Sequence, residues 1–106
     1  MNIDINVSSL SPAEFKTYTL VDIREPMEYM DQPALIENVE YIPFAQYPLN
    51  INQFDKNESY LLFCAAGGRS HHMAEHLNAQ GFKALSVIAG IGALNHYLSQ
   101  LPANER

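Results

Sequence analysis

The 106 residues include no tryptophan, one cysteine, and only six Lys and Arg against twelve Asp and Glu. A lone thiol, Cys64, cannot close an internal disulfide, which excludes a disulfide scaffold and suits a reducing cytoplasm. A formal net charge of −6 argues against nucleic acid and against anionic membrane surfaces, both of which recruit Lys and Arg. No apolar run approaches the roughly 20 residues of a membrane helix. The opening MNIDINVSSL carries an acid where a secretion signal carries bases, so the chain is expected to start near Met1. What is present, 47% hydrophobic residues with 17% charged, excludes disorder. A chain of this length buries roughly 65% of its unfolded surface, enough for one core without metal or disulfide staples. No repeat, low-complexity stretch or linker divides it, so one domain is expected over residues 1–106.

Short periodic segments follow one another along the chain. Ile3, Ile5 and Val7 alternate with Asp4 and Asn6 as in a half-buried strand. Ser11-Pro12-Ala13-Glu14 then supplies an N-cap, a proline at N1 and a glutamate at N3, so a first helix should follow. Leu20-Val21-Asp22-Ile23 is a second short apolar run with one acid in it, and Arg24 to Met30 reads as a turn feeding a helical segment. Tyr60-Leu61-Leu62-Phe63 is apolar without alternation, the pattern of a strand covered on both faces, and is expected at the centre of a parallel sheet. A helix is predicted from about Arg69 to Gln80, with Met73, Ala74 and Leu77 on its buried face, Gly81 at C′ and Phe82 folding back. Leu85, Val87 and Ile88 predict another strand, and Ile91, Leu94, Leu98 and Leu101 a final amphipathic helix. Alternating strands and helices point to a three-layer α/β fold, a mainly parallel central sheet flanked by helices.

The chemistry concentrates in Cys64-Ala65-Ala66-Gly67-Gly68-Arg69-Ser70, between the most buried strand and the helix that starts at its end. Ligands of parallel sheets bind beyond the carboxyl ends of strands, where a turn into a helix aims several backbone N–H groups at one anion. Gly67 and Gly68 offer conformations closed to residues with a Cβ, so the amides of Ala65, Ala66, Gly67, Gly68 and Ser70 can converge on Cys64. Those dipoles and the Arg69 guanidinium should lower the thiol pKa from about 8.5 towards the roughly 3.5 to 7.5 of activated cysteines. A cysteine that merely packs the core needs no glycine pair, arginine and helix start directly after it. A phosphate-cradling GxxxxGK[ST] loop fits less well, since the segment has no lysine.

With these residues in place the sequence resembles the rhodanese-like domains, and among them the small single-domain sulfurtransferases. LVDIREPMEY at 20–29 is similar to the family's first signature. YLLFCAAGGRSHHMAEHLNAQGF at 60–82 is similar to its strand, loop and helix signature with a C-x-x-G-x-R-S core. Ile42-Pro43-Phe44-Ala45 resembles the I-P-G-A segment with Phe44 for glycine, and Ala89-Gly90 followed by Leu94 stands where a Gly-Gly pair and a tryptophan are usual. The four residues between Cys64 and Arg69 match the six-residue loop of the sulfurtransferases rather than the seven-residue loop of related dual-specificity phosphatases. The resemblance implies a Cys64 thiolate that takes a sulfane sulfur from thiosulfate or a persulfide and holds it as a persulfide. It then passes the sulfur to a thiol, to cyanide or to a protein of a sulfur relay. No cofactor is implied.

Cys64 and Arg69 are therefore the expected catalytic residues, Arg69 either holding an anionic donor or pinning the loop through its guanidinium fork. Ala65, Ala66, Gly67 and Gly68 place no cation beside the sulfur, so a persulfide or uncharged donor is expected to suit the site better than thiosulfate. Asp22 and Arg24 match the acid and base of the first signature, and a buried Asp must be paired, so a supporting bond network is expected. Ser70 can cap the helix or donate to the sulfur. His72 and His76 lie one helical turn apart beside His71, yet Met73 stands where a zincin has glutamate and no third ligand is evident; exposed histidines and no metal are expected. Tyr47 can line an entrance or fill a gap. Two other readings are a non-catalytic binding or regulatory module and a cysteine phosphatase or arsenate reductase.

Overall fold

In the computed structural model, which describes residues 2–106, five parallel strands form one sheet in the order β1-β5-β4-β2-β3. The expected start at Met1 lies outside the described residues. The strands are β1 (Asp4–Ile5), β2 (Thr19–Asp22), β3 (Glu40–Tyr41), β4 (Ser59–Phe63) and β5 (Lys83–Val87). The helices are α1 (Pro12–Phe15), α2 (Pro26–Asp31), α3 (Gly68–Ala79) and α4 (Gly90–Ser99). The architecture is the expected α/β one with a parallel sheet.

β4 sits at the centre, and its side chains supply both cores. Tyr60, Leu62 and Cys64 join Val21, Ile23, Met73, Ala74 and Leu77 under α3. Leu61 and Phe63 join Phe15, Leu20, Val87, Leu94 and Leu98 under α1 and α4. A strand buried on both faces needs no polar alternation, which is why this segment reads as continuous hydrocarbon. Each such leucine or phenylalanine contributes about 1.5 to 3 kcal/mol by leaving water.

The helix ends follow their local chemistry. Ser11 accepts from the Glu14 amide while the Glu14 carboxylate accepts from the Ser11 amide, the reciprocal cap that starts α1. α3 runs to Ala79, and the Phe82 amide folds back to the Leu77 carbonyl at 3.0 Å. No helix among the described residues is long and apolar enough to cross a membrane.

Three expectations about elements need correction. The first strand stops at Ile5, because the Asn6 side chain caps a 3-10 turn that takes up Val7. β5 stops at Val87 and Ile88 is exposed, since the chain there turns towards α4. The edge strand β3 was not expected: its two residues are exposed and carry no apolar pattern, and backbone pairing with β2 alone defines it.

Candidate active site

Parallel strands deliver their carboxyl ends to one edge of the sheet, and the Cys64 loop leaves that edge from the central strand. Cys64 itself is fully buried, its side chain on the α3 side of the sheet. The chain reverses at Gly67, whose φ of +106° lies where a Cβ is strained, and this turn aims the Gly67 N–H at the sulfur over 3.1 Å. The Ser70 hydroxyl lies 3.5 Å from the same sulfur, 3.2 Å from the Gly67 carbonyl and 2.6 Å from the Ser86 hydroxyl on β5. Ser70 and Ser86 are both buried, and the Ser86 hydroxyl finds its hydrogen-bond partner in Ser70. Burial pushes the thiol pKa up. The Ser70 hydroxyl and the amides of Ser70, Gly67 and Ala66 outweigh it, leaving the pKa below the ordinary thiol value.

The expected cradle is thus narrower than the sequence implied. Among the described residues, no hydrogen bond joins the Ala65 or Gly68 amide to the sulfur. Gly68 also differs from expectation: it is the first residue of α3, lacks a positive φ and has open space where a Cβ would go. Only Gly67 of the pair needs to be glycine for the turn. Ala65 and Ala66 are exposed and small, forming the outer face of the loop.

Arg69 is engaged sideways. Its two terminal nitrogens donate to the two carboxylate oxygens of Glu28 on α2, at 2.9 and 2.7 Å, a fork-on-carboxylate geometry. The Arg69 hydrogen bonds hold the Glu28 carboxyl down at about 2, against the opposing effect of burial. The same bonds raise the Arg69 pKa, and the charge of Cys64 adds to the rise. Glu28 was not among the residues singled out from the sequence, because on its own it reads as a solvated charge on a short helix. Its place within the 20–29 signature was the available signal.

Asp22 and Arg24 are 1% and 2% exposed and satisfy one another. The Asp22 carboxylate accepts from the Arg24 amide at 3.0 Å, from Nε at 2.9 Å and from a terminal nitrogen at 2.8 Å. The guanidinium lies over the Phe63 ring, 5.7 Å from its centroid, and a second nitrogen donates to the Glu28 carbonyl at 3.4 Å. The chain of contacts therefore runs from the end of β2 through Arg24 to α2, then through Glu28 and Arg69 to the Cys64 loop. Removing one member of a buried pair leaves an uncompensated charge and costs about 3 to 5 kcal/mol.

A second loop, between β5 and α4, supports the first from the other side. The Ile91 amide donates to the Cys64 carbonyl at 2.9 Å. A Cβ on Gly90 would lie 2.3 Å from the Cys64 oxygen and 2.5 Å from the Ala65 oxygen, so glycine is required there. Its neighbour Ala89 holds a left-handed conformation, φ 63° and ψ 9°, that alanine adopts only at a cost.

The histidines and Tyr47 have other engagements. His71, expected to be exposed, is partly so and pairs through Nδ1 with Asp4 at 2.9 Å. His76 hydrogen-bonds the Tyr47 hydroxyl, and Tyr47 packs on the α3-side core. His72 meets the edge of Phe44. No group of three or more His, Cys, Asp or Glu among the described residues is arranged to hold a metal ion.

Comparison with known proteins places this geometry. The family model for the rhodanese-like domain matches residues 10–92, which include the whole Cys64 loop. A tRNA sulfurtransferase of Vibrio vulnificus is 39% identical over 70 residues, 64% of this chain but only 14% of that protein, so the chain spans a small part of such relatives. YtwF of Bacillus subtilis, which carries a provisional sulfurtransferase name, is 31% identical over 74 residues, 70% of each chain. The rhodanese-related protein of Thermoplasma volcanium superposes with a TM-score of 0.76 at 26% identity, covering 95% of this chain and 94% of that one. A rhodanese-like domain protein of Staphylococcus aureus gives a TM-score of 0.69 at 33% identity, covering 89% and 91%. By sequence, fold and loop the chain belongs to the rhodanese-like domain family.

Proposed function

We propose that the protein is a sulfurtransferase in which Cys64 carries the sulfur. The observation that carries this reading is the Cys64 sulfur itself, at the end of the central strand, with the Gly67 N–H 3.1 Å away and its pKa lowered by the surrounding donors. Such a site stabilises a sulfur anion without reorganising, and the same donors serve a resting persulfide. The Cys64 thiolate attacks the outer sulfur of a donor and its electron pair forms the new S–S bond. The donor's own bond to that sulfur breaks, and its electron pair leaves as sulfite from thiosulfate or as a thiolate from a persulfide. A thiol, cyanide or a protein cysteine of a sulfur relay then attacks the outer sulfur and returns Cys64 as thiolate. No oxidant or cofactor enters, and the double displacement predicts ping-pong kinetics. Arg69, with its fork on Glu28, acts as the pin that holds the loop to α2. Asp22 and Arg24 support that pin from below. A reducing cytoplasm keeps the single thiol available.

The test is the intact mass of the protein after incubation with thiosulfate or with cysteine persulfide. A gain of one sulfur atom, absent in Cys64→Ser, is the expected outcome. No sulfur gain with either donor would remove the enzymatic reading and leave a binding module. Turnover of an aryl phosphate would indicate phosphoryl transfer instead.

A further inference from the structure

The distribution of positive charge extends this reading to the choice of donor. All strands are parallel, so the residues entering them lie at the edge of the sheet opposite the Cys64 loop. Lys16 precedes β2, Lys56 precedes β4 and Lys83 opens β5, which places every lysine at that far edge. Arg106 donates to the Leu101 carbonyl and shares a cleft with Lys16 and Tyr18, at the same far edge. Of the six bases this leaves Arg24 and Arg69 near the loop. Arg24 is buried against Asp22, and both terminal nitrogens of Arg69 are taken by Glu28. The loop itself contributes two alanines and two glycines before Arg69. A donor approaching Cys64 therefore meets backbone dipoles and an already neutralised ion pair, and among the described residues no lysine or arginine stands free beside it.

We propose that Glu28 is a donor-selecting residue: by occupying the Arg69 fork it turns the site away from the dianionic thiosulfate and towards persulfides of thiols. The inference rests on the sulfurtransferase reading above. Thiosulfate brings two negative charges to a thiolate, and without a free lysine or arginine only the backbone dipoles, already engaged by the thiolate, oppose that repulsion at close range. A thiol persulfide brings at most one negative charge on its sulfur pair. Cys64 takes its outer sulfur, the S–S bond of the donor breaks, and the inner sulfur departs as the thiolate, so charge and electrons balance with no added reductant. Glu28 acts through Arg69 and is a positioning residue. Its substitution is expected to change the ratio of the two donors rather than merely the overall rate.

The experiment measures the rate of one-sulfur addition to Cys64 by rapid-quench mass spectrometry, with thiosulfate and with cysteine persulfide, in the wild type and in Glu28→Gln. The wild type should react faster with cysteine persulfide. Glu28→Gln, which frees one full positive charge beside the loop, should shift the ratio of rates towards thiosulfate by about tenfold, and added salt should diminish the shift. Glu28→Gln/Arg69→Gln, which removes both charges together, should return the ratio to the wild-type value. A wild type that prefers thiosulfate overturns the proposal without any variant being needed. So does a Glu28→Gln protein whose two rates move in parallel. Absence of sulfur on Cys64 with both donors would instead overturn the sulfurtransferase reading, so the two failures are distinguishable.

Discussion

Gly90→Ala tests the contact between the two loops, and the structure sets its size. The new Cβ would stand 2.3 Å from the Cys64 carbonyl oxygen, 2.5 Å from that of Ala65 and 2.7 Å from the Ala65 carbonyl carbon. All three obstructing atoms are backbone, so no side-chain rotation relieves the clash, and ordinary separation requires the loops to part by about an ångström. Parting them stretches the bond from the Ile91 amide to the Cys64 carbonyl, now 2.9 Å. Three effects add: about 1 kcal/mol for alanine at a φ of 61°, about 1 to 2 kcal/mol for overpacking and ~1 kcal/mol for the hydrogen bond. The total, about 3 to 4 kcal/mol, is a large share of the ~5 to 15 kcal/mol that holds such a domain together. In urea, with a slope near ~2 kcal/mol per molar, the midpoint should fall by about 1.5 to 2 M. The neighbouring Ala89→Gly makes the control, because it relieves a left-handed alanine and adds no atom. Its stability should stay or rise by up to ~1 kcal/mol, a midpoint shift of up to ~0.5 M, the relief being partly offset by a freer unfolded chain. A Gly90→Ala protein within ~0.5 kcal/mol of wild type would refute the close approach on which this reasoning stands.

Two further outcomes follow from the thiol and from the ion pair. Ser70→Ala removes the largest stabilising contact of the thiolate, so the Cys64 pKa should rise. The alkylation rate at pH 7 should fall roughly tenfold for the loss of a hydrogen bond to a charged group; an unchanged pH–rate profile for iodoacetamide would count against the hydroxyl. Glu28, held at about 2 against an ordinary 4.5, stabilises the fold fully above its ordinary value, and that stability is lost as the pH falls from 4.5 through about 2. Because the pair is about one-third exposed, solvent screening reduces the effect to about 1 to 2 kcal/mol. Acid unfolding followed by circular dichroism should show this loss in the wild type and its absence in Glu28→Gln.

Local signals were legible in the sequence, and relations across long separations were not. The doubly buried β4, the reciprocal cap at Ser11 and the stop of α3 before Gly81 each depend on neighbours a few residues apart, so pattern alone reveals them. β3 depends on pairing Glu40 and Tyr41 with Val21 and Asp22, and two exposed residues give no periodicity to read. The candidate site divides in the same way. Cys64, Gly67 and Ser70 lie within one turn-and-helix segment and stand together as expected. The Arg69 partner is 41 residues away in sequence, and the Gly90 constraint comes from backbone atoms more than 20 residues earlier. Gly68 shows the opposite error: a glycine beside a necessary glycine reads as equally necessary, although a helical backbone and open space remove the need.

Two of the substitutions that set this chain apart from the family signatures, Phe44 and Ala89, fall on the surroundings of the sulfur and leave its donors in place, while Leu94 is buried in the core on the other side of the sheet. Phe44, where a glycine is usual, turns its ring against the α3-side core and His72, while its amide still reaches the Ile23 carbonyl at 2.9 Å. Ala89, where another glycine is usual, keeps the left-handed backbone that brings Gly90 and Ile91 onto the Cys64 carbonyl. In both cases the backbone path is retained and the side chain is accommodated, at a strain cost at Ala89 of about 1 kcal/mol. A backbone path held at such a cost must be maintained by the contacts it makes, and here those contacts are with the loop that carries Cys64. The donors to the sulfur are themselves main-chain N–H groups and one hydroxyl, so their placement depends on loop geometry more than on the identity of the exposed alanines. Replacing Ala65 or Ala66 by a lysine should therefore change which donor is preferred while leaving the thiol acidic, whereas moving the second loop should change the acidity itself.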